Sequence, residues 1–118
     1  MKSWHYLPPA QIVGTGIPGL VDSQNAAFID KKIYLRYSLG PTDWYMAEYS
    51  YEKDLFYGCA VISDALPPEW GYIPHAELQL LRIPPVFEVE RDLRWTPMRA
   101  GDISRIARWN LPQIMNKL

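Results

Sequence analysis

Three apolar, aromatic-rich runs joined by very short connections limit the topology of this chain more than any other feature. Residues 33–37, 44–49 and 55–62 are separated by the turn Leu39-Gly40-Pro41-Thr42 and by the loop Ser50-Tyr51-Glu52-Lys53-Asp54. A parallel crossover needs a dozen or more residues, so these neighbours must run antiparallel. Ile33, Leu35 and Tyr37 alternate with Tyr34 and Arg36, which puts the two sets on opposite faces of a strand. The run through Cys59 is continuously apolar, as suits the middle of a sheet.

The flanking sequence extends this meander. Residues 70–73 read as a short strand, and residues 74–82 as a short helix with Pro74 at its first position. Leu78 and Leu81, with Ala76 or Pro74, would form its buried stripe, and Pro84-Pro85 forbid continuation. Residues 86–95 alternate cleanly. Phe87, Val89, Arg91, Leu93 and Trp95 share one face, and Glu88, Glu90, Asp92 and Arg94 share the other. Arg91 is a cation on the apolar face and needs a partner if buried. Residues 102–109 read as a helix with Asp102 at its N-cap. A second helical piece follows Pro112, with Leu111, Ile114, Met115 and Leu118 as its stripe.

The expected fold is α+β: an antiparallel meander of four to five strands, a short helix before the last strand, and C-terminal helical pieces. One domain of 118 residues is expected, with 1–30 as an irregular wrapping segment, 31–97 as the sheet core and 98–118 as a basic helical tail. Eleven prolines, against an average usage of about 5%, argue against long helices.

Charge excludes some partners. The net charge of −1 gives no global attraction to nucleic acid or anionic lipid. The distribution is uneven: residues 1–98 hold eight Lys/Arg and twelve Asp/Glu, whereas residues 99–118 hold four Lys/Arg and one Asp. Arg99, Arg105 and Arg108 make the tail basic. They either complement acidic groups of the same domain or solvate a helix. The single cysteine, Cys59, allows no intrachain disulfide and fits a reducing, cytoplasmic home. No signal peptide is recognised, and no apolar stretch approaches the ~20 residues that span a membrane.

Catalytic signals are weak. Gly14-Thr15-Gly16-Ile17-Pro18-Gly19 matches the dinucleotide-loop spacing, but no strand–loop–helix context surrounds it, so it reads as a turn. The serines lack a nucleophile-elbow context, Cys59 reads as buried and inert, and His75 reads as an ordinary surface histidine. His5 and His75 are far apart in sequence, and no metal-ligand spacing occurs. Glu88, Glu90 and Asp92 share a strand face at about 7 Å intervals, from the ~3.4 Å rise, so they hold a cation only with help from another strand. No cofactor, no metal and no catalytic residue is expected.

Aromatics carry the most suggestive signal. Tyr34, Tyr37, Trp44, Tyr45, Tyr49, Tyr51, Phe56 and Tyr57 fall on three adjacent strands or their loop. Alternation cannot put all of them inside, so an outer aromatic surface is expected, whose rings either stabilise the sheet as cross-strand pairs or stack bases or anchor a protein partner. The candidate binding residues are Tyr34, Arg36, Trp44, Tyr45, Tyr49, Trp70 and Tyr72, together with Glu90, Arg91 and Asp92.

Six pieces recur in a consistent order: Lys32-Ile33-Tyr34-Leu35, Trp44-Tyr45-Met46-Ala47-Glu48-Tyr49, Leu55-Phe56-Tyr57-Gly58, Glu69-Trp70-Gly71-Tyr72-Ile73, Ala76-Glu77-Leu78 and Glu90-Arg91-Asp92-Leu93. Over residues 32–96 the chain thereby resembles a bacterial family of unknown function found mostly on plasmids, phages and integrative elements. The Gly-Pro-rich first 30 residues and Ile83-Pro84-Pro85-Val86-Phe87 depart from its pattern. The resemblance implies a cytoplasmic accessory protein of mobile DNA and brings no catalytic residues with it. The leading expectation is therefore a non-catalytic protein-interaction module of a mobile element, acting against a host defence complex. One alternative is a small metal-dependent nucleic-acid enzyme using Glu48, Glu88, Glu90 and Asp92. Another is a nucleic-acid binder using the basic tail and the aromatic sheet.

Overall fold

The connection Gly40-Pro41 closes a two-residue hairpin, and Gly40, with φ 58°, supplies the left-handed backbone that so tight a turn requires. The computed structural model describes residues 7–84 and 87–109. In chain order it contains helix α1 (Pro9–Val13), then strands β1 (Lys32–Ile33), β2 (Leu35–Leu39), β3 (Thr42–Ser50), β4 (Leu55–Val61) and β5 (Glu69–Pro74). Helix α2 (His75–Leu80) follows, then strands β6 (Arg82–Ile83), β7 (Phe87–Glu88), β8 (Glu90–Arg91) and β9 (Met98–Arg99), and helix α3 (Ser104–Ala107). The fold is α+β. A five-stranded antiparallel sheet has the order β5-β4-β3-β2-β8, and two short ribbons pair β1 with β9 and β6 with β7.

Both faces of the sheet are covered. On the first, Leu35, Tyr37, Trp44, Met46, Tyr49 and Phe56 pack beneath Ile12, Ile17, Leu78 and Val89. On the second, Ile33, Tyr45, Ala47, Cys59 and Val61 pack beneath Ala100, Ile103 and Ile106. Burying each large side chain contributes about 1.5–3 kcal/mol. The expected outer aromatic surface is therefore corrected: Trp44, Tyr45 and Tyr49 are 8%, 3% and 3% exposed. The wrapping segment and the C-terminal segment cover the rings that alternation turned away from one core, so they enter a second one.

A β-bulge decides which ring goes where. Met46 faces Gly58 and Glu48 faces Tyr57, so Ala47 is the extra residue of β3. Trp44 and Met46 lie in the first core; after the bulge the order inverts and Tyr49 joins them. A Cβ on Gly58 would stand 2.2 Å from the Tyr45 carbonyl oxygen, so this close approach requires glycine. Another break falls at Tyr34, between β1 and β2. Ile33 consequently packs in the second core, not on one face with Leu35 and Tyr37 as strict alternation predicts.

The strand expected over 86–95 divides. β7 pairs with β6, and β8 pairs with β2 at the sheet edge. Val89, between them, is buried, whereas Phe87 and Leu93 are exposed. The Asp92 backbone N–H still donates to the Arg36 carbonyl at 2.8 Å, but Asp92 Oδ1 accepts Arg94 N–H at 2.9 Å and turns the chain away. The helix expected over 74–82 is shorter: Pro74 precedes α2, and Arg82 already belongs to β6. His75 and Leu78 form its buried side, while Ala76 and Leu81 are exposed.

The C-terminal helix is likewise shorter than expected. Ala100–Asp102 is a 3-10 turn, and Ile103, not Asp102, occupies the N-cap of α3. The piece after Pro112, with Leu111, Ile114, Met115 and Leu118, lies outside the described residues. The Gly14 to Gly19 stretch follows helix α1 rather than a strand; residues 14–16 form a turn and residues 17–19 are irregular. Among the described residues, no helix is long and apolar enough to cross a membrane.

Candidate functional site

The bulge at Ala47 turns Glu48 toward the segment that lies beside the second core. Pro18 anchors that segment, its carbonyl accepting Tyr49 N–H at 2.9 Å. Glu48 Oε1 then accepts Val21 N–H at 2.9 Å, and Oε2 accepts Ser23 N–H at 3.1 Å and the Ser23 hydroxyl. Lys31 Nζ lies 3.7 Å from Glu48 Oε2, and both side chains are only 4% exposed. The ammonium also donates to the Ser23 carbonyl at 2.6 Å and to Ser23 Oγ at 3.1 Å. A buried charge pair is sustained only when its remaining hydrogen-bonding positions are filled, and the 21–23 backbone fills them here.

This arrangement strains the loop. Val21 has φ 63°, a left-handed conformation that β-branched residues avoid. The cost is roughly 1–2 kcal/mol, and a hydrogen bond to a charged group contributes about 1.5–3 kcal/mol, which is enough to offset it.

Above the pair opens a cleft of about 210 Å³. Val21, Gln24, Ala26 and Phe28 form one wall, Tyr57 and Tyr72 the other, and Lys31 and Glu48 the floor. Phe28 stacks on Trp70 with centroids 5.1 Å apart and planes 11° apart. Tyr57 meets Tyr72 edge-on at 5.2 Å, and Lys31 Nζ stands 5.7 Å over the Tyr57 ring. Burial, and then the Glu48 carboxylate, push the Tyr57 phenol pKa up, so its hydroxyl remains a neutral donor. Phe28 and Tyr72 are 51% and 59% exposed. β5, which carries Trp70 and Tyr72, is an outer strand of the sheet.

Of the expected binding residues, Trp70 and Tyr72 thus come together at the cleft. Trp44, Tyr45 and Tyr49 are core residues. Tyr34 is half-buried beneath Lys32 Nζ, at 5.5 Å. Arg36 bridges Asp43 at 2.9 Å and Asp92 at 3.1 Å. Glu90 and Arg91 pair with Ser38 and Tyr37 on the β2 edge. Arg91 is half-buried, and its Nε makes no hydrogen bond among the described residues. The sequence pattern gives no specific site signal for Phe28, Lys31 or Tyr57, and for Glu48 only that of a metal ligand. Only the excess of tyrosines hinted at Tyr57, while Lys31 sits in a charge run that looks like any solvated turn.

The three arginines expected to make the tail basic are engaged by aspartates. Arg99 pairs with Asp30 and Asp102, Arg105 with Asp43 and Asp64, and Arg108 with Asp64. Asp43 is buried and also accepts the Tyr45 hydroxyl at 2.8 Å. The four carboxylates of the metal-enzyme alternative do not converge. Glu48 binds the 21–23 loop, Glu88 lies 3.6 Å from Arg82, Glu90 stands opposite Ser38 on the β2 edge, and Asp92 holds Arg36. Among the described residues, no three His, Cys, Asp or Glu side chains are placed to share a metal ion.

Two further groups differ in their burial. Cys59 is fully buried, and burial pushes its thiol pKa up to about 12, so it is a poor nucleophile. His75 is 2% exposed rather than on the surface, because α2 starts against β4 and its Nδ1 lies 2.9 Å from Asp54 Oδ1. Tyr37 and Phe56 flank the imidazole, and the Tyr49 hydroxyl donates to the same Asp54 oxygen. Comparison with protein-family models, curated proteins and solved structures finds no match to this chain.

Proposed function

We propose that the protein is a non-catalytic interaction module that grips a protein partner at the aromatic cleft beside β5. The observation that carries this is the pairing of exposed rings with a rigid support. Phe28 and Tyr72 are exposed at the mouth, yet Trp70 and Tyr57 hold them from behind. Rings held in this way lose little conformational freedom on binding, which is what makes aromatic side chains effective anchors. Elsewhere the sheet's aromatics are spent on the two cores.

Charge favours a protein over a nucleic acid as the partner. The arginines of the tail are neutralised by aspartates of the same chain, so they present no free basic patch for phosphates. That the partner belongs to a host defence complex is part of this proposal; it rests on the resemblance read from residues 32–96 and on no matched relative.

Affinity capture from a bacterial host lysate tests the contact face. Wild-type protein, Tyr72→Lys and Leu93→Lys serve as baits. The expected result is one partner retained by wild type and by Leu93→Lys, and lost with Tyr72→Lys. Equal retention by all three baits removes the cleft from the contact.

A further inference from the structure

The charged pair at the floor of the cleft is already engaged. Glu48 is occupied by Val21 N–H, Ser23 N–H and the Ser23 hydroxyl, and Lys31 is turned to Ser23 and Glu48. The pair also sums to zero charge, so neither an anion nor a cation gains a net counter-ion there. A quaternary ammonium is opposed further, because Lys31 already stands over the ring face such a cation would use. The rest of the lining is ring surface from Phe28, Tyr57 and Tyr72, beside Val21 and Ala26, with the Gln24 amide and the two phenol hydroxyls as its uncharged polar groups. Surfaces of that kind take an uncharged flat group, edge-on or offset. The 210 Å³ volume lies below the roughly 300–1,000 Å³ of drug-sized pockets, so it suits one side chain.

Two more observations identify what carries that side chain. Tyr72 lies on β5, whose outer edge pairs with no other strand among the described residues. An open edge is a template for an added strand, with main-chain hydrogen bonds giving affinity and a side-chain pocket giving selectivity. The borders of the site are acidic. Asp22, between the lining residues Val21 and Gln24, is exposed, and so is Glu69 at the start of β5. These carboxylates repel the phosphates of a nucleotide and attract basic residues.

The geometry points to an extended, basic segment of a partner protein that adds as a strand to β5 and puts one aromatic side chain into the cleft. This occupant rests on the cleft being the protein-contact face. The ring stacks against Tyr72 and Phe28, while lysines or arginines on either side of it meet Asp22 and Glu69.

The test is a nuclear magnetic resonance titration of the ¹⁵N-labelled full chain. The probes are an acetylated, amidated KTWTK peptide, its KTATK counterpart, adenosine 5′-monophosphate and tetramethylammonium chloride. The expected result is that KTWTK shifts amides in residues 21–31 and 69–74 and binds at least about ten-fold tighter than the other three. Tyr72→Ala, a change at an exposed position, removes that binding and leaves the distant amides unmoved. Equal binding of the two peptides, tighter binding of the nucleotide or the ammonium, no binding of KTWTK, or shifts outside the cleft each overturn the proposal. If the lysate partner depends on Tyr72 but KTWTK fails, the contact face stands and this occupant falls. If the partner is retained by Tyr72→Lys, the face itself falls.

Discussion

Glu48 does the most work of any single residue, because its carboxylate organises the 21–23 backbone, holds Lys31 and forms the cleft floor. Glu48→Ala should lower stability by about 3–5 kcal/mol, since it leaves Lys31 buried without its counter-charge. Replacing both partners, as in Lys31→Met with Glu48→Leu, should cost less than either single change; urea unfolding of the three variants checks the order. Burial also makes stability sensitive to high pH. The Cys59 thiol is raised from an ordinary 9.0 to about 12, and the Tyr57 and Tyr45 phenols are raised as well, burial being the largest cause for each. The folded state binds these protons more tightly than the unfolded state. Their contribution is therefore complete below the ordinary values, 9.0 for the thiol and 10.0 for the phenols, and is lost as pH climbs toward the folded values. Urea midpoints at about pH 8 and about pH 10.5 should show a clear fall, and a flat profile would contradict the burial described.

At the scale of elements, the β3 bulge carries most of the consequences. It turns Glu48 toward the wrapping segment and sends Tyr49 into the first core. Gly58→Ala should destabilise by about 2–4 kcal/mol, because the new methyl group collides with the Tyr45 backbone, which has nowhere to move. Thermal melting of that single variant checks it. The strands β2, β3 and β4 were legible in the sequence because their connections forbid a crossover and their apolar runs are long. The bulge was not, since an extra alanine in a buried strand leaves no mark on apolar alternation. The division of residues 86–95 was also hidden. Its alternation is regular, but Asp92 turns the backbone, and two different neighbours compete for the two ends. The cleft was half legible. Trp70 and Tyr72 stood out as aromatics near an edge, whereas the Lys31–Glu48 pair depends on a contact across 17 residues that no local pattern announces.

For the whole molecule, covering both sheet faces changes where function can sit. A one-sided sheet would have left Trp44, Tyr45 and Tyr49 as a broad aromatic surface. The wrapping N-terminal segment and the C-terminal segment bury these instead, and the Arg36–Asp43–Arg105 network fastens the latter to the sheet. The aspartates of the acidic body and Arg99, Arg105 and Arg108 thereby complement one another. Two exposed rings backed by other rings, Phe28 and Tyr72, are left at one edge, by β5, whereas exposed Tyr51 and Phe87 lie in the β3–β4 loop and on β7. The most direct test replaces Tyr72 with a photo-crosslinking phenylalanine derivative in host cells, with the same replacement of exposed Leu93, beyond the β8 edge, as a control. One discrete crosslinked protein is expected from position 72 and none from position 93. No product at position 72, or the same products from both positions, would contradict the cleft as the contact face.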